Sequence, residues 1–382
     1  MATEKNITSS ENNLFDSVSL LIENARKKVA TAINTVMVYT YYGVGQYIVE
    51  FEQNGKVRAE YGKQVLINLS NKLTDKFGDG WSIKTLEKAK QFYKVYSDFP
   101  TPKKILTTSK SSESNFLHSV EEIKKQDFVY TVDKIHVFTL SWNHYQILMR
   151  VKNEMARSFY EIEAFEQQWS VRQLQRQVSS SLFERLALSR DKDEVMRLAT
   201  EGQTIEKPSD IIKDPLVLEF VGLKPEAAYS ETDLENAVIT KLKTFLLELG
   251  KGFLFEARQK RFTFDEDNFY VDLVFYNRLL QCYVLIDLKT DKLTHQDLGQ
   301  MQMYVNYFDR YVKTDFEKPT IGILLCETKN DALVELTLPK EANIYAQQYE
   351  LCLPDKKLLQ AKIKEWVQEF KAAKEIEKLN NK

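Results

Sequence analysis

Between residues 14 and 52 apolar side chains return at Leu14, Val18, Leu21, Ala25, Val29, Ala32 and Val36. Steps of three and four keep one face of a helix apolar, and over its length the stretch predicts a helical pair. The segment YGKQVLINLSNKLTDKFGDGWSIKTLEKAKQFYKVY, 61 to 96, predicts a helix to about Lys76 and a glycine-bearing break at Phe77 to Trp81. A second helix follows, with Ser82 as N-cap. Two helices joined by a short glycine turn resemble a helix-turn-helix. Residues 97 to 119 turn to Ser, Thr, Pro and Lys and read as a loop, while FVYTVDKIHVFTL, 128 to 140, has the β-branched and aromatic content of a short hairpin. One helix starts at Ser141, and WSVRQLQRQVSSSLFERLALS, 169 to 189, reads as another. The rhythm is lost over 190 to 212, which marks a domain boundary.

The second half alternates differently. SETDLENAVITKLKTFLLELG, 230 to 250, reads as one amphipathic helix that starts at a Ser/Asp-type cap and stops at Gly250. Strands are expected at FLFEARQKRFTF, FYVDLVFYN, CYVLIDLKT, TIGILLC and IYAQQYELCLP, with a helix HQDLGQMQMYVNYFDRYV after the third. Strands flanked by helices, with one hairpin among them, describe an α/β sandwich on a mixed sheet. The chain therefore reads as α+β, with a helical domain over 14–190, an α/β domain over 213–360 and a charged helix or tail over 361–382.

With 382 residues there is room for two cores, and 12 glycines and 8 prolines leave few tight turns. A net charge of -2 does not advertise a polyanion partner, but its distribution does. Lys56 to Lys110 carries twelve Lys or Arg against five acids. Lys84, Lys88, Lys90 and Lys94 fall on the second helix of the turn motif, among Phe92, Tyr93 and Tyr96, and are candidates for nucleic-acid contact, mostly to phosphate. Three cysteines outside any CxxC spacing fit a reducing, cytoplasmic setting. Neither an apolar leader nor a run long enough for a membrane span is present, so no membrane partner is expected.

The candidate chemistry lies in the β-rich half. In YVLIDLKT, 283 to 290, Asp287 and Lys289 are two apart on a strand and share a face, with Leu288 pointing to the core between them. The preceding strand carries a lone acid, Asp272, among apolar residues, which is costly to bury without a partner. Two such carboxylates on neighbouring strands repel unless a cation separates them, which suits a Mg²⁺ or Mn²⁺ held by one or two carboxylates. A lysine beside them can orient or deprotonate a water. Glu235 on the preceding helix supplies a third acid. The following helix supplies Gln300, Gln302 and Tyr304, with Gln300 and Tyr304 on one face.

This ordered set resembles the PD-(D/E)XK nuclease core. The blocks DLENAVITKLKTFLLELGKGFLFEARQ, FYVDLVFYNRLLQCYVLIDLKT and GQMQMY resemble the C-terminal domain of bacterial YhcG-type proteins, while YGKQVLINLSNKLTDKFGDGWS, SWNHYQILMRV and WSVRQLQRQV resemble their winged-helix-like N-terminal domain. The likeness spans about residues 14 to 355. It implies a restriction-endonuclease-like second domain in which Asp272, Asp287 and the Leu288 carbonyl bind the metal and Lys289 handles water and developing charge. Glu235 would complete the site, and Gln300 or Gln302 would orient it. No proline precedes Asp272, which the superfamily tolerates. The implied activity is a metal-dependent endonuclease on nucleic acid, DNA rather than RNA, in genome defence or DNA processing, acting as a homo-oligomer such as a dimer.

Blander readings compete. Asp272 and Asp287 could pair with Arg258 or Lys260, Lys289 could serve only as Asp287's counter-ion, and Glu235 could complement the helix dipole. His118, His136, His144 and His295 lack ligand spacing and read as structural or surface residues. At the level of the whole chain, the rivals are a non-catalytic nucleic-acid- or protein-binding module and an oligomeric scaffold built on the long N-terminal helices.

Overall fold

The computed structural model describes residues 2–54, 59–99, 105, 137–188, 192–213, 215–224, 228–339 and 341–361. Its contacts separate into two units, Met1–Leu174 and Gln175–Lys382.

The first unit is helical: α1 (Ala2–Asn54), α2 (Ala59–Phe77), α3 (Ile83–Tyr96), α4 (Trp142–Leu148), α5 (Glu154–Glu166) and the start of α6 (Val171–Ser179). Instead of the expected pair, residues 14 to 52 form part of one helix. Gly43 and Gly45 do not interrupt it, because Gly45 serves packing: a Cβ there would lie 2.1 Å from the Ala89 carbonyl oxygen on α3. Val38, Tyr39, Tyr42, Ile48 and Val49 form the buried side of α1. An aromatic cluster binds α3 to α4, with Phe92 meeting Trp142, Tyr145 and Phe138 at centroid distances of 4.9 to 5.3 Å. Ser82 caps α3 by accepting from the Thr85 amide, as its place in the sequence predicts. The hairpin expected at 128–140 lies outside the described residues up to 136, and Val137–Leu140 form no strand. The expected loop also lies largely outside them, as does the 361–382 tail beyond Ala361.

In the second unit, the helix expected at 169–189 is broken into α6 and α7 (Leu182–Leu188). Ser181 adopts a left-handed φ of 53° at the joint. The break lets Arg185 turn inward, donating to Ser180 O and Pro215 O and pairing with Glu248 at 2.6 Å, both side chains fully buried. Arg176 meets the other Glu248 oxygen at 2.7 Å and the Val217 amide donates to the first. Residues 190 to 212, where the apolar rhythm is lost, include α8 (Lys192–Glu201). The helix expected at 230–250 is two, α9 (Glu231–Thr240) and α10 (Leu242–Leu249), which part at Lys241, where φ is -109° and the helix is interrupted.

The sheet comprises β1 (Leu216–Val217), β2 (Phe253–Phe264), β3 (Asp267–Asn277), β4 (Cys282–Lys292), β5 (Ile321–Thr328) and β6 (Ile344–Glu350), in the order β1-β6-β5-β4-β3-β2. β2, β3 and β4 are antiparallel neighbours, and the remaining pairings are parallel. Helix α11 (His295–Tyr307) links β4 to β5, and α12 (Asp331–Thr337) links β5 to β6. Strand alternation sends Leu273, Ile286, Leu288 and Ile323 into a core with Leu234, Val238 and Phe245 of α9 and α10. The opposite face packs Val274, Leu285 and Leu324 against Leu298, Met301 and Val305 of α11. The mixed sheet between helices, after a helical region, makes the chain α+β.

Candidate active site

The β3–β4 ladder ends at the Leu273↔Ile286 pair. Asp272 and Asp287 stand one step beyond that rung, where the strands part. With no β3 rung there, the Leu288 amide donates to Asp272 Oδ2 at 2.8 Å. Alternation puts Asp287 and Lys289 on one side while Leu288 is buried in the core on the other.

Lys289 Nζ lies 2.8 Å from Asp287 Oδ2, 3.6 Å from Glu231 Oε1 and 3.9 Å from Asp297 Oδ1. Asp287 is only 4% exposed. Burial, then the charge of Asp272, push its carboxyl up to about 7 against the lowering effect of Lys289. For Lys289, burial favours the neutral amine, but Asp287 first, then Glu231 and Asp297, raise its proton affinity above the ordinary lysine value. Burial also raises the Glu231 carboxyl, with Lys289 opposing.

Glu235 sits in the second turn of α9, whose start is set by a Ser230–Asp233 capping box. It is buried and ion-paired with Arg258. The Gln259 amide donates to Glu235 Oε2 at 2.7 Å and to Asp272 Oδ1 at 2.9 Å, so one side chain spans the helix acid and the strand acid. Gln259 has a φ of 47° and lies between the Arg258↔Leu273 and Lys260↔Val271 rungs. Arg258 therefore serves Glu235 rather than either aspartate, and Lys260 pairs with Glu256 at 3.3 Å.

On α11, Gln300 Nε2 donates to the Tyr304 hydroxyl at 2.6 Å. Burial pushes that hydroxyl up to about 12, with Asp287 and Asp272 adding to the effect, so this face of α11 feels the carboxylates. Gln302 instead lines a cleft of about 320 Å³ with Phe262, Phe264, Met303, Tyr307 and Arg310. His295 opens α11 while Thr294 caps it, and His144 is held between Ser141 Oγ and Trp169 O. His118 and His136 lie outside the described residues. In the first unit Lys84 and Lys94 are exposed, whereas Lys88 donates to Gln146 at 2.6 Å and Lys90 pairs with Glu52 at 2.6 Å.

Three neighbours of the acids escape a reading by pattern. Gln259 stands between Arg258 and Lys260 on a largely exposed strand and looks like solvated surface. Glu231 and Asp297 look like first-turn acids of their helices, and Asp297 does cap Thr294. Their second role, facing Lys289, is set by chain segments more than 50 positions apart for Glu231 and by a β4–α11 turn for Asp297.

Among the described residues no group of three or more His, Cys, Asp or Glu is placed to hold a metal. Asp272 and Asp287 form a two-carboxylate pair whose mutual repulsion a hard divalent cation would relieve, and Mg²⁺ is commonly held by one or two carboxylates plus water. The donor set fits that group.

Residues 209–364 match the YhcG PDDEXK nuclease domain, and residues 17–185 match the DUF1016 N-terminal domain. The YhcG protein of Escherichia coli (strain K12) is 36% identical over 357 residues, covering 92% of this chain and 93% of its own. Among solved structures, a repair endonuclease from Pyrococcus abyssi and an EndoMS–dsDNA2 complex each align at 16% identity with a TM-score of 0.23, over 35% of this chain and 50% of theirs. At that level neither bears on the chemistry. Identity over nearly the full length of both chains, with the two domain matches in the same order, places this chain in the YhcG family of proteins carrying a PDDEXK nuclease domain.

Proposed function

We propose that this protein is a metal-dependent endonuclease that hydrolyses phosphodiester bonds in DNA in preference to RNA. The observation that carries the reading is the pairing of Asp272 and Asp287 at the parting of β3 and β4, with Lys289 at 2.8 Å. Asp272 and Asp287 would hold Mg²⁺ or Mn²⁺, with the Leu288 carbonyl beside them. When bound, the cation supplies positive charge against the phosphate and makes water more acidic. Lys289, kept as an ammonium by three surrounding acids, orients a water or phosphate oxygen and offsets charge that develops there. Glu235 and Gln259 hold Asp272 in place from the other side, and Gln300 with Tyr304 bounds the site along α11.

DNA binding draws on the α2–turn–α3 segment, where Lys84 and Lys94 are open to solvent and would contact phosphate. A winged-helix-like architecture for this unit belongs to the same reading. So do the domain limits 14–190 and 213–360. Cys282 and Cys326 are buried thiols outside any disulfide, which suits a reducing cytoplasm, and no helix among the described residues is long and apolar enough to cross a membrane. A role in DNA processing or genome defence fits such an activity.

Purified protein with Mg²⁺ or Mn²⁺ should nick plasmid DNA. Asp287→Ala and Lys289→Ala should each lower the rate by roughly 100-fold or more, in line with the loss of a pre-organised charge. Wild-type rates in both variants would refute the site. The rival, a binding module on a nuclease scaffold, draws on the lack of a three-ligand cluster among the described residues. Calorimetry separates the two: heat of Mn²⁺ binding that Asp272→Asn abolishes supports the enzyme, and its absence in the wild type supports the module.

A further inference from the structure

The N-terminal half of α1 carries large apolar side chains that the described chain leaves uncovered. Val18, Leu21, Ile22, Val29, Ile33 and Val36 are between 43% and 69% exposed. Their spacing is not the 3.6-residue rhythm of a helix lying on its own core. Phe15, Val18, Ile22, Ala25, Val29, Ala32 and Val36 recur in strict alternation of three and four, giving three successive heptads with every a and d position apolar. A strict 3.5-residue repeat winds a helix around another helix, because a straight helix would drift off the seam. From Thr35 on, the side chains away from the stripe pass into the unit's own interior: Thr35, Val38, Tyr39 and Tyr42 are buried. The seam thus occupies the part of the helix that has no core of its own.

We propose that residues 15–36 form one strand of a parallel, two-stranded coiled coil whose other strand is the same helix of a second copy. Two observations select that occupant. The first is area: the six exposed side chains, counted over two copies, offer roughly 1,000 Å² of apolar surface, the size at which specific association begins. A soluble monomer rarely leaves such a stripe open. The second is the composition of the seam. Ile22, Val29 and Val36, three of the four a positions, are β-branched, as at the a positions of parallel two-stranded coils, and the d positions Val18, Ala25 and Ala32 are small enough to let two helices approach closely. In parallel register Arg26, at an e position, meets Leu21 of the second copy at g, whereas antiparallel pairing centred on the seam sets Arg26 against its counterpart. The interface is independent of the chemistry of the second unit, since assembly is read without any substrate.

The heptad supplies its own control. Leu20 is 59% exposed, as open as Val29, but falls at f, opposite the seam. In sedimentation at micromolar concentration, wild type and Leu20→Asp should run as two chains, and Val29→Asp and Ile22→Asp as one. Because Val29 and Ile22 are exposed in the single chain, all four should keep the near-ultraviolet circular dichroism of the folded units, with any helix loss in Val29→Asp and Ile22→Asp confined to the N-terminal half of α1. In a Cys352→Ser background, which removes the exposed native thiol, Val29→Cys should form a disulfide-linked pair with copper-phenanthroline and Leu20→Cys should not. A wild type that runs as one chain, a Val29→Asp that stays paired, or a Leu20→Asp that dissociates equally would overturn the proposal. Cross-linking from Leu20→Cys as efficient as that from Val29→Cys would overturn the seam, and a chain that stays paired while Val29→Cys fails to cross-link would overturn the parallel register.

Discussion

Among the residues of the candidate site, Asp287 sits in a setting far from its intrinsic chemistry. Its carboxyl is pushed up to about 7 in the folded chain by burial and by Asp272, from an ordinary value near 4. A raised carboxyl makes the native state hold a proton that the unfolded chain has released. Stability from this group is therefore complete below about pH 4 and is lost as pH rises toward 7. Metal-free protein should lose as much as about 4 kcal/mol across that window, and Asp287→Asn should flatten the profile in denaturant melts at several pH values. The same proton must leave before a cation binds, so Mn²⁺ affinity should climb through neutral pH. Gln259 is the second residue to watch. Its amide holds Glu235 and Asp272 together, and Gln259→Ala should weaken Mn²⁺ binding or cleavage by about 10–100-fold with the melting temperature nearly unchanged. The sequence made Asp272, Asp287 and Lys289 legible because polar groups stand out in an apolar strand. Gln259 was illegible, because on an exposed strand an amide that bridges two acids looks the same as one that faces water.

At the scale of elements, the helices were found more reliably than their ends. Ser82, Ser230 and Thr294 cap α3, α9 and α11 through side-chain oxygens, and such caps act within one turn of chain. The breaks at Ser181 and Lys241 carry no such mark. The first is bound up with Arg185, whose guanidinium reaches Glu248, Ser180 and Pro215 across the second unit. Burial alone would raise the Glu248 carboxyl, but Arg185, Lys213 and Arg176 hold it down at about 2. The stability it contributes is present above the ordinary carboxylate range and is lost as pH falls toward 2. Arg185→Met should cost about 3–5 kcal/mol in chemical denaturation, because it leaves Glu248 buried with less compensation. A cost below about 1 kcal/mol would mean that Arg176 and Lys213 suffice.

For the whole molecule, a coiled coil through α1 would deliver two second units to one substrate. Wild type should then convert supercoiled plasmid to linear form with little nicked intermediate, while Val29→Asp should accumulate nicked circles at a similar initial rate. A product ratio independent of Val29 would mean that the two sites work separately. By itself, the sequence determined the α+β class, the strand set from β2 to β6, the ordered acids and lysine, and the apolar stripe of α1. Each of these is written as local periodicity or as a polar residue out of place, and so needs no partner to be read. Only the tertiary structure decided that α1 continues through its glycines, that Glu235 meets Arg258 and Gln259, that Tyr304 feels the two aspartates while Gln302 lines a cleft, and that Glu231 and Asp297 gather around Lys289. Those facts depend on which segments, far apart along the chain, the sheet and its helices bring within a few ångströms, and local pattern carries no record of that.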